Sequence, residues 1–179
     1  MDSINNNQAE HNRSDLTDRE AVERIRDIVE SAKGSCFFCT HAEGGLSNGT
    51  RPMSVQKVDD DGNLWFLSAV DSNKNAELQR DPSVELFIQG SPHSGFLHLR
   101  GHGTITTERG VIDELWEPIA KVWFTEGKDD PRITAIKVAP SDGYYWDNKH
   151  GDAVAGIKML VGAATGRTMD DSIEGTVRV

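Results

Sequence analysis

This chain has little sulfur, few positive charges and no long apolar run. Its 179 residues include two cysteines, 19 Lys and Arg against 29 Asp and Glu, and a formal net charge of −10. Two cysteines are too few for a disulfide scaffold. The excess of acid disfavours nonspecific nucleic-acid binding, which needs a basic surface. No stretch approaches the roughly 18 consecutive apolar residues of a membrane span. The N-terminus is polar and Asn-rich, unlike a secretory signal, so a cytoplasmic protein is expected. The sequons Asn12-Arg13-Ser14 and Asn48-Gly49-Thr50 then carry no meaning. No P-loop and no dinucleotide glycine fingerprint occurs.

What remains is the composition of a soluble globular domain, 36% hydrophobic and 27% charged. The expected organisation is a disordered tail over residues 1–14, one domain over 15–165 and a polar, frayed tail over 166–179. Thr17-Asp18-Arg19-Glu20 reads as a capping box. Behind it Ala21, Val22, Ile25, Ile28 and Val29 form one apolar helical face, ended by Lys33-Gly34. Residues 35–41, 50–58, 64–69, 84–89 and 96–107 read as strands. A short helix over 72–80 stops at Asp81-Pro82. A longer helix is expected over 110–124, with Pro118 as a kink and Trp116 and Trp123 on one face. Residues 132–138 and 143–146 read as a further strand region bent at Ala139-Pro140, and 153–164 as apolar strand or helix. Short strands with a few inserted helices predict a mainly β, α+β fold, a small antiparallel barrel with flanking helices.

Within this pattern, residues 51–74 carry a conspicuous cluster. Arg51 opens a strand, Asp59-Asp60-Asp61-Gly62-Asn63 makes a turn, and Leu64-Trp65-Phe66-Leu67-Ser68 follows. Ser72-Asn73-Lys74 then enters the short helix. Two cations and two hydroxyls thus sit at strand and helix ends in an acidic protein, which repels anions elsewhere. Arg51 offers a planar fork and Lys74 a point charge to a phosphate. Ser72 can cap the helix while its first N–H groups face the anion. The aromatic strand alongside can carry a flat ring. Together these features point to a phosphorylated aromatic cofactor, best matched by a flavin nucleotide.

The order Arg51-Pro52-Met53-Ser54, Asp61-Gly62-Asn63, Leu64-Trp65-Phe66-Leu67-Ser68, Ser72-Asn73-Lys74, Asp81-Pro82 and Leu99-Arg100-Gly101-His102-Gly103 resembles the pyridoxamine 5′-phosphate oxidase-like FMN-binding split barrels. Trp116-Glu117-Pro118, Trp123-Phe124, Gly127-Lys128, Asp130-Pro131 and Tyr144-Tyr145-Trp146-Asp147 resemble the bacterial general stress protein branch. The resemblance covers roughly residues 20–165. It implies a split β-barrel homodimer with FMN, or alternatively FAD, at the subunit interface. Arg51 and Lys74 would hold the phosphate with Ser68, Ser72 and Asn73 nearby. Met53, Ser54 and Val55 would lie along the isoalloxazine, and Phe66 and Leu67 would flank ring or ribityl chain. Phe96, Trp146 and, on a weaker match, Trp123 would approach the flavin.

Three positions depart from the true oxidases. Asn73 replaces a basic residue beside the phosphate-binding lysine, a charged contact worth about 1.5–3 kcal/mol when made. Phe96 stands where those enzymes carry a Gln. Asp152 and Val154 stand at the spacing of their Arg-x-His, and an acid there repels a substrate phosphate. Pyridoxamine phosphate oxidation is therefore not expected. A general-stress-type flavin oxidoreductase or flavin carrier, serving a small electron donor or acceptor, is. The alternative is a non-enzymatic binding protein of the same fold for heme or deazaflavin.

Two tempting motifs carry less. Cys36-Phe37-Phe38-Cys39 sits in a strand-like run, where residues three apart lie about 10 Å apart on opposite faces. Disulfide Cα separations stay below about 7 Å. His98 and His102, about 13 Å apart on one strand, cannot share a metal alone.

Overall fold

The computed structural model describes residues 12–41, 49–165 and 171–179. The strands are β1 (Leu16–Thr17), β2 (Ser35–Thr40), β3 (Thr50–Ser54), β4 (Lys57–Val58), β5 (Leu64–Ala69), β6 (Ser83–Gln89), β7 (Phe96–Thr106), β8 (Ile133–Asn148) and β9 (Ser172–Arg178). The α-helices are α1 (Asp18–Ser31), α2 (Asn73–Arg80), α3 (Arg109–Leu115) and α4 (Asp152–Thr165). The result is a sheet-dominated α+β fold with few helices.

One sheet runs in the order β1-β9-β8-β7-β6-β2-β3, with β5 on β8 and β4 on β5. All pairs are antiparallel except β1 with β9. The long strand β8 shares one edge between two partners: β5 along residues 133–138, and β9 along 143–148. The run from β3 to β4 crosses from one end of the sheet toward the other. However, β3 pairs only with β2 and β4 only with β5 among the described strands, so the sheet does not close.

The inward residues follow the period-2 pattern. Phe38, Leu64, Phe66, Leu86, Leu97, Leu99 and Ile136 are buried on the inner face against Ala21, Ile25 and Ile28 of α1. A smaller cluster of Ile112, Leu115, Phe124, Ile133 and Ala135 lies under α3, with Trp65 and Leu67 against it.

Helix α1 has the predicted apolar face, but the capping box does not form. Thr17 is the N-cap without a side-chain cap bond. It is committed to β1 opposite Arg178, and Asp18 takes φ 50° to leave the strand. The C-terminus is a Schellman turn: the Gly34 N–H donates to Val29 O, and the Lys33 N–H to Glu30 O. Gly34 also accepts from the Val55 N–H at 2.8 Å. With φ at 74°, a Cβ there would meet Val55 O at 2.6 Å, so only glycine lets α1 tie down the end of β3.

Several expectations change. The expected 110–124 helix is α3 followed by a 3-10 turn at Pro118–Val122; Glu117 precedes proline and stays extended. Residues 132–148 make a single strand through Pro140, accommodated by a register shift at Arg100/Gly101. Residues 153–164 are helical. The C-terminal tail is corrected most: residues 172–178 are β9, inside the sheet. Of the N-terminal tail, residues 1–11 lie outside the described residues, as do 42–48 of the expected turn-rich connection and 166–170 of the C-terminal tail. Residues 12–14 are docked. Asn12 is buried, and the Ser14 N–H donates to Glu174 O while Tyr145 Oη donates to Ser14 O. Gly175 makes room for that segment, since a Cβ would lie 1.8 Å from Ser14 O. Among the described residues no helix is long and apolar enough to cross a membrane.

Asp171 fastens α4 to the sheet. Its buried carboxylate accepts from Lys158 Nζ and pairs with His150 Nδ1, both at 2.7 Å, and accepts the His150 N–H at 3.0 Å. Burial pushes this carboxyl up, but the bonds from Lys158 and His150 outweigh it and bring it to about 2. The folded value is below the unfolded one, so its stabilisation is complete above about pH 5 and fades as pH falls from about 4 toward 2. Thermal melts should therefore show a constant Tm gap between wild type and Asp171→Asn from pH 6 to 8. The gap should narrow below about pH 4.

Candidate functional site

The open side of the sheet lies where β3 and β5 part. Arg51 on β3 and Lys74 in the first turn of α2 both border it. Arg51 Nη2 donates to Glu77 Oε2 at 2.7 Å and to Thr40 Oγ1 at 3.1 Å. Thr40 Oγ1 also donates to Glu77 Oε2. The Arg51 and Glu77 side chains are 19% and 11% exposed, so this pair is largely withdrawn from solvent. Lys74 is half-buried, and its ammonium is pushed down first by burial and then by repulsion from Arg51, with Glu77 opposing. Glu77, bonded to Arg51, lies three residues after Lys74 on one face of α2, which puts both cations in one neighbourhood. Burial pushes Glu77 up, but the bonds from Thr40 and Arg51 outweigh it and keep its carboxyl below the ordinary value.

The two predicted hydroxyls serve the scaffold of this corner. Ser72 is the N-cap of α2 and accepts the Asn75 N–H. Ser68 is buried; its Oγ donates to Asn75 Oδ1 at 2.7 Å and lies 3.1 Å from Ser72 Oγ. Asn75 Nδ2 donates to Thr134 Oγ1 at 2.9 Å, and Thr134 Oγ1 to Ser68 O. This network bolts the start of α2 to β5 and β8. Asn75→Ala would leave buried partners unsatisfied, at about 1–3 kcal/mol. The expected result is a Tm drop of several degrees with the flavin affinities below reduced alongside; a Tm equal to wild type contradicts it.

The other predicted residues distribute as follows. Met53 is partly buried against the core, and Ser54 is exposed. Val55 is buried, and its N–H is already used by Gly34. Val55 therefore has no free backbone donor. Phe66 is fully buried, edge-on to Phe38 at 5.1 Å, so its side chain belongs to the core. Its backbone remains at the open side, because residues 66–69 pair only with β8 among the described strands. Leu67 points away, into the cluster under α3. Asn73 is exposed on the first turn of α2.

Phe96, Trp146 and Trp123 lie elsewhere. Phe96 and Trp146 are register partners on β7 and β8, and both are exposed on the outer face of the sheet. Strands β7, β6 and β2 intervene between Trp146 and β3, so one chain does not bring the aromatic group and the cation pair together. The same outer face shows Phe37 and Phe87, which are register partners; Phe87 is stacked on His98 at 4.4 Å. His98 Nε2 pairs with Glu85 at 2.8 Å. Two adjoining grooves of about 890 and 610 Å³ share Phe37 and Phe87 on this face. Trp123 stands 68% exposed after the 3-10 turn beside exposed Ile119 and Val122. It does not share a helical face with the half-buried Trp116.

The cysteines behave as small strand residues. Both are free, Cys36 buried and Cys39 partly exposed. Burial pushes the Cys36 thiol up to about 12, which leaves it unreactive. Sequence reasoning missed Glu77, Thr40 and Asn75 at the cation pair, and Phe37 and Phe87 on the outer face. A signal for Glu77 existed: an acid one turn after Lys74 lies on the same helical face.

The chain belongs to the pyridoxamine 5′-phosphate oxidase-like family, whose model matches residues 20–170. A crystal structure of general stress protein 26 from Jannaschia sp. CCS1 superposes with TM-score 0.71 and 25% identity over 90% of this chain and 96% of that one. The general stress FMN/FAD binding protein from Xanthomonas citri shares the fold, with TM-score 0.56 and 22% identity over 66% of this chain and 83% of that one. Protein bli-3 of Neurospora crassa is 24% identical over 105 residues, 54% of this chain and 50% of that protein. The chain thus spans about half the length of that curated relative.

Proposed function

We propose that this protein is a cytoplasmic, homodimeric flavin nucleotide-binding protein of the general stress type, built as a split barrel. FMN, a flat aromatic ring system bearing a phosphate, suits its cations, and FAD is the alternative. The observation that carries this reading is the convergence of Arg51 and Lys74 beside the open edges of β3 and β5. The donor set fits a phosphate: a fork, an ammonium and the first N–H groups of a capped helix. Ser68, Ser72 and Asn75 fix that helix, while Asn73 adds a polar but uncharged neighbour.

The outer face supports the dimer. Phe37, Phe87, Phe96 and Trp146 form an exposed apolar surface with grooves, of the kind that marks an association site. A second copy on that face would bring Phe96 and Trp146 to its partner's cation pair. Met53, Ser54 and the backbone of residues 66–69 would then border the ring, with Val55 fixing the end of β3. Trp123 is exposed enough to reach a partner, although nothing in one chain directs it there.

A bound flavin supplies two-electron or one-electron redox chemistry of its own. The residues here bind and orient it and limit water at the seam. Such a site suits a carrier or a simple oxidoreductase that takes hydride from a nicotinamide donor and passes electrons to a small acceptor. Asp152 in place of an arginine argues against pyridoxamine phosphate as substrate.

The test is an absorption spectrum of the purified protein, with any released cofactor identified by mass. Flavin bands with FMN or FAD in the extract are expected. A Soret band would replace this reading with heme, and a colourless protein that ignores added flavin would end it.

A further inference from the structure

We infer that Glu77, bonded to Arg51 and Thr40 at the mouth of the open side, is a specificity-determining residue that reduces the advantage of a doubly charged phosphate over a singly charged one. This rests on the flavin reading above and deepens it, because it bears on the choice between FMN and FAD. A phosphomonoester such as FMN carries about −1.5 to −2 at pH 7, with a second ionisation near pH 6. Each phosphate of the FAD diphosphate carries a single charge and has no ionisation near neutrality.

A site built to favour the dianion would present its cations unopposed. Here one carboxylate is placed among them. Glu77 accepts from Arg51 at 2.7 Å, and it is close enough to Lys74 to raise that ammonium's pKa. Two cations and one buried anion leave one net positive charge. The other charged groups around it are few. Arg80 of α2 acts on Glu77 from the same helix. His41, next to Thr40, pairs with Asp81 at 2.8 Å, beyond the end of α2. Because its pKa is lowered, Glu77 stays ionised across the range in which FMN gains its second charge. The anion gaining that charge meets the added pull of Arg51 and Lys74 and the added push of Glu77 together. An orienting role alone would need only an acceptor, which a neutral amide also provides.

The experiment compares wild type with Glu77→Gln, which keeps an acceptor for Arg51 and Thr40. FMN, FAD and riboflavin are titrated by flavin fluorescence at pH 5.5 and 7.5, with riboflavin controlling for titration of the protein itself, His41 included. For wild type, FMN affinity relative to riboflavin is expected to stay within about twofold between the two pH values. For Glu77→Gln, FMN should bind about tenfold tighter than to wild type at pH 7.5, with a much smaller gain at pH 5.5. Riboflavin should change less than about twofold, and FAD, with a single charge on each phosphate, only about threefold. Equal changes for all three ligands would show a structural role and overturn the inference. So would a steep rise of FMN affinity with pH in wild type, a test that holds even where the variant does not fold. Should neither protein bind any flavin, the flavin reading fails by itself. Inorganic phosphate then decides on Glu77, followed by amide NMR shifts in α2. A pH-dependent gain in wild type overturns the inference, and its appearance only in the variant supports it.

Discussion

Arg51→Ala should weaken FMN binding about a hundredfold while leaving riboflavin affinity within a few-fold. A charge-assisted bond to the phosphate is worth about 1.5–3 kcal/mol, which alone covers a ten- to hundredfold loss. Removing the guanidinium also strips Glu77 of its main partner in a site where both side chains are mostly buried. The carboxylate left behind adds repulsion toward the incoming phosphate. It also costs about 1.5–3 kcal/mol of stability, the worth of a hydrogen bond to a charged group, because the buried carboxylate keeps only the Thr40 hydroxyl as donor. Glu77 is held below its unfolded pKa partly by Arg51, so its contribution to stability is present above about pH 4.3 and lost on acidification. In the variant that acid-dependent component should shrink. Paired fluorescence titrations with FMN and riboflavin, plus melts at pH 4 and 7, check both halves. A parallel loss of both ligands would mean that Arg51 supports the fold and not the phosphate. Lys74→Ala should show the same selectivity with a smaller effect, since a mobile ammonium makes a single point contact.

Phe87→Glu should convert the proposed dimer to a monomer, and the proposed flavin binding should fall with it. Phe87 lies at the centre of the outer face, between Phe37 on β2 and His98 on β7. Residues at such a centre dominate association energies, and a buried unpaired carboxylate there costs several kcal/mol. The glutamate leaves the single chain intact, because Phe87 is 44% exposed and outside the core. Sedimentation velocity should show the halved mass with an unchanged circular dichroism spectrum. Loss of FMN affinity in this folded monomer is the further expected result, because Trp146 and the cation pair then reside in separate molecules. A monomer that binds FMN as well as wild type would refute the shared site.

How far the sequence led can be seen element by element. Helix α1 was legible because its apolar residues, Ala21 to Val29, keep one face over about two and a half turns. Strands β5, β6 and β7 were legible because apolar runs are bounded by turn residues. The C-terminal strand was not. Its buried positions are Gly175 and Val177, and glycine carries no hydrophobic signal; it is there because Ser14 crosses it. The helix over 110–124 was misjudged because Trp116 and Trp123 suggest one face, while Glu117-Pro118 ends the helix between them. At the site, Arg51 and Lys74 stood out as cations at element ends in an acidic chain. Ser68 lies in the same corner, where its hydroxyl donates to Asn75. Phe37 and Phe87 belong to runs that look like core on both sides. Only the pairing of β2 with β6 reveals that they share the outward face.

Opening the sheet beside β3 also creates a hazard. A strand with one bare edge is a template for other strands, and an exposed edge invites chain-to-chain pairing during folding and storage. Pro52 sits in the middle of β3, with no N–H to offer an intruder. The segment that must stay accessible to a small molecule is thereby made a poor partner for another polypeptide. Replacing that proline with valine would complete the ladder and should favour aggregates over loaded protein.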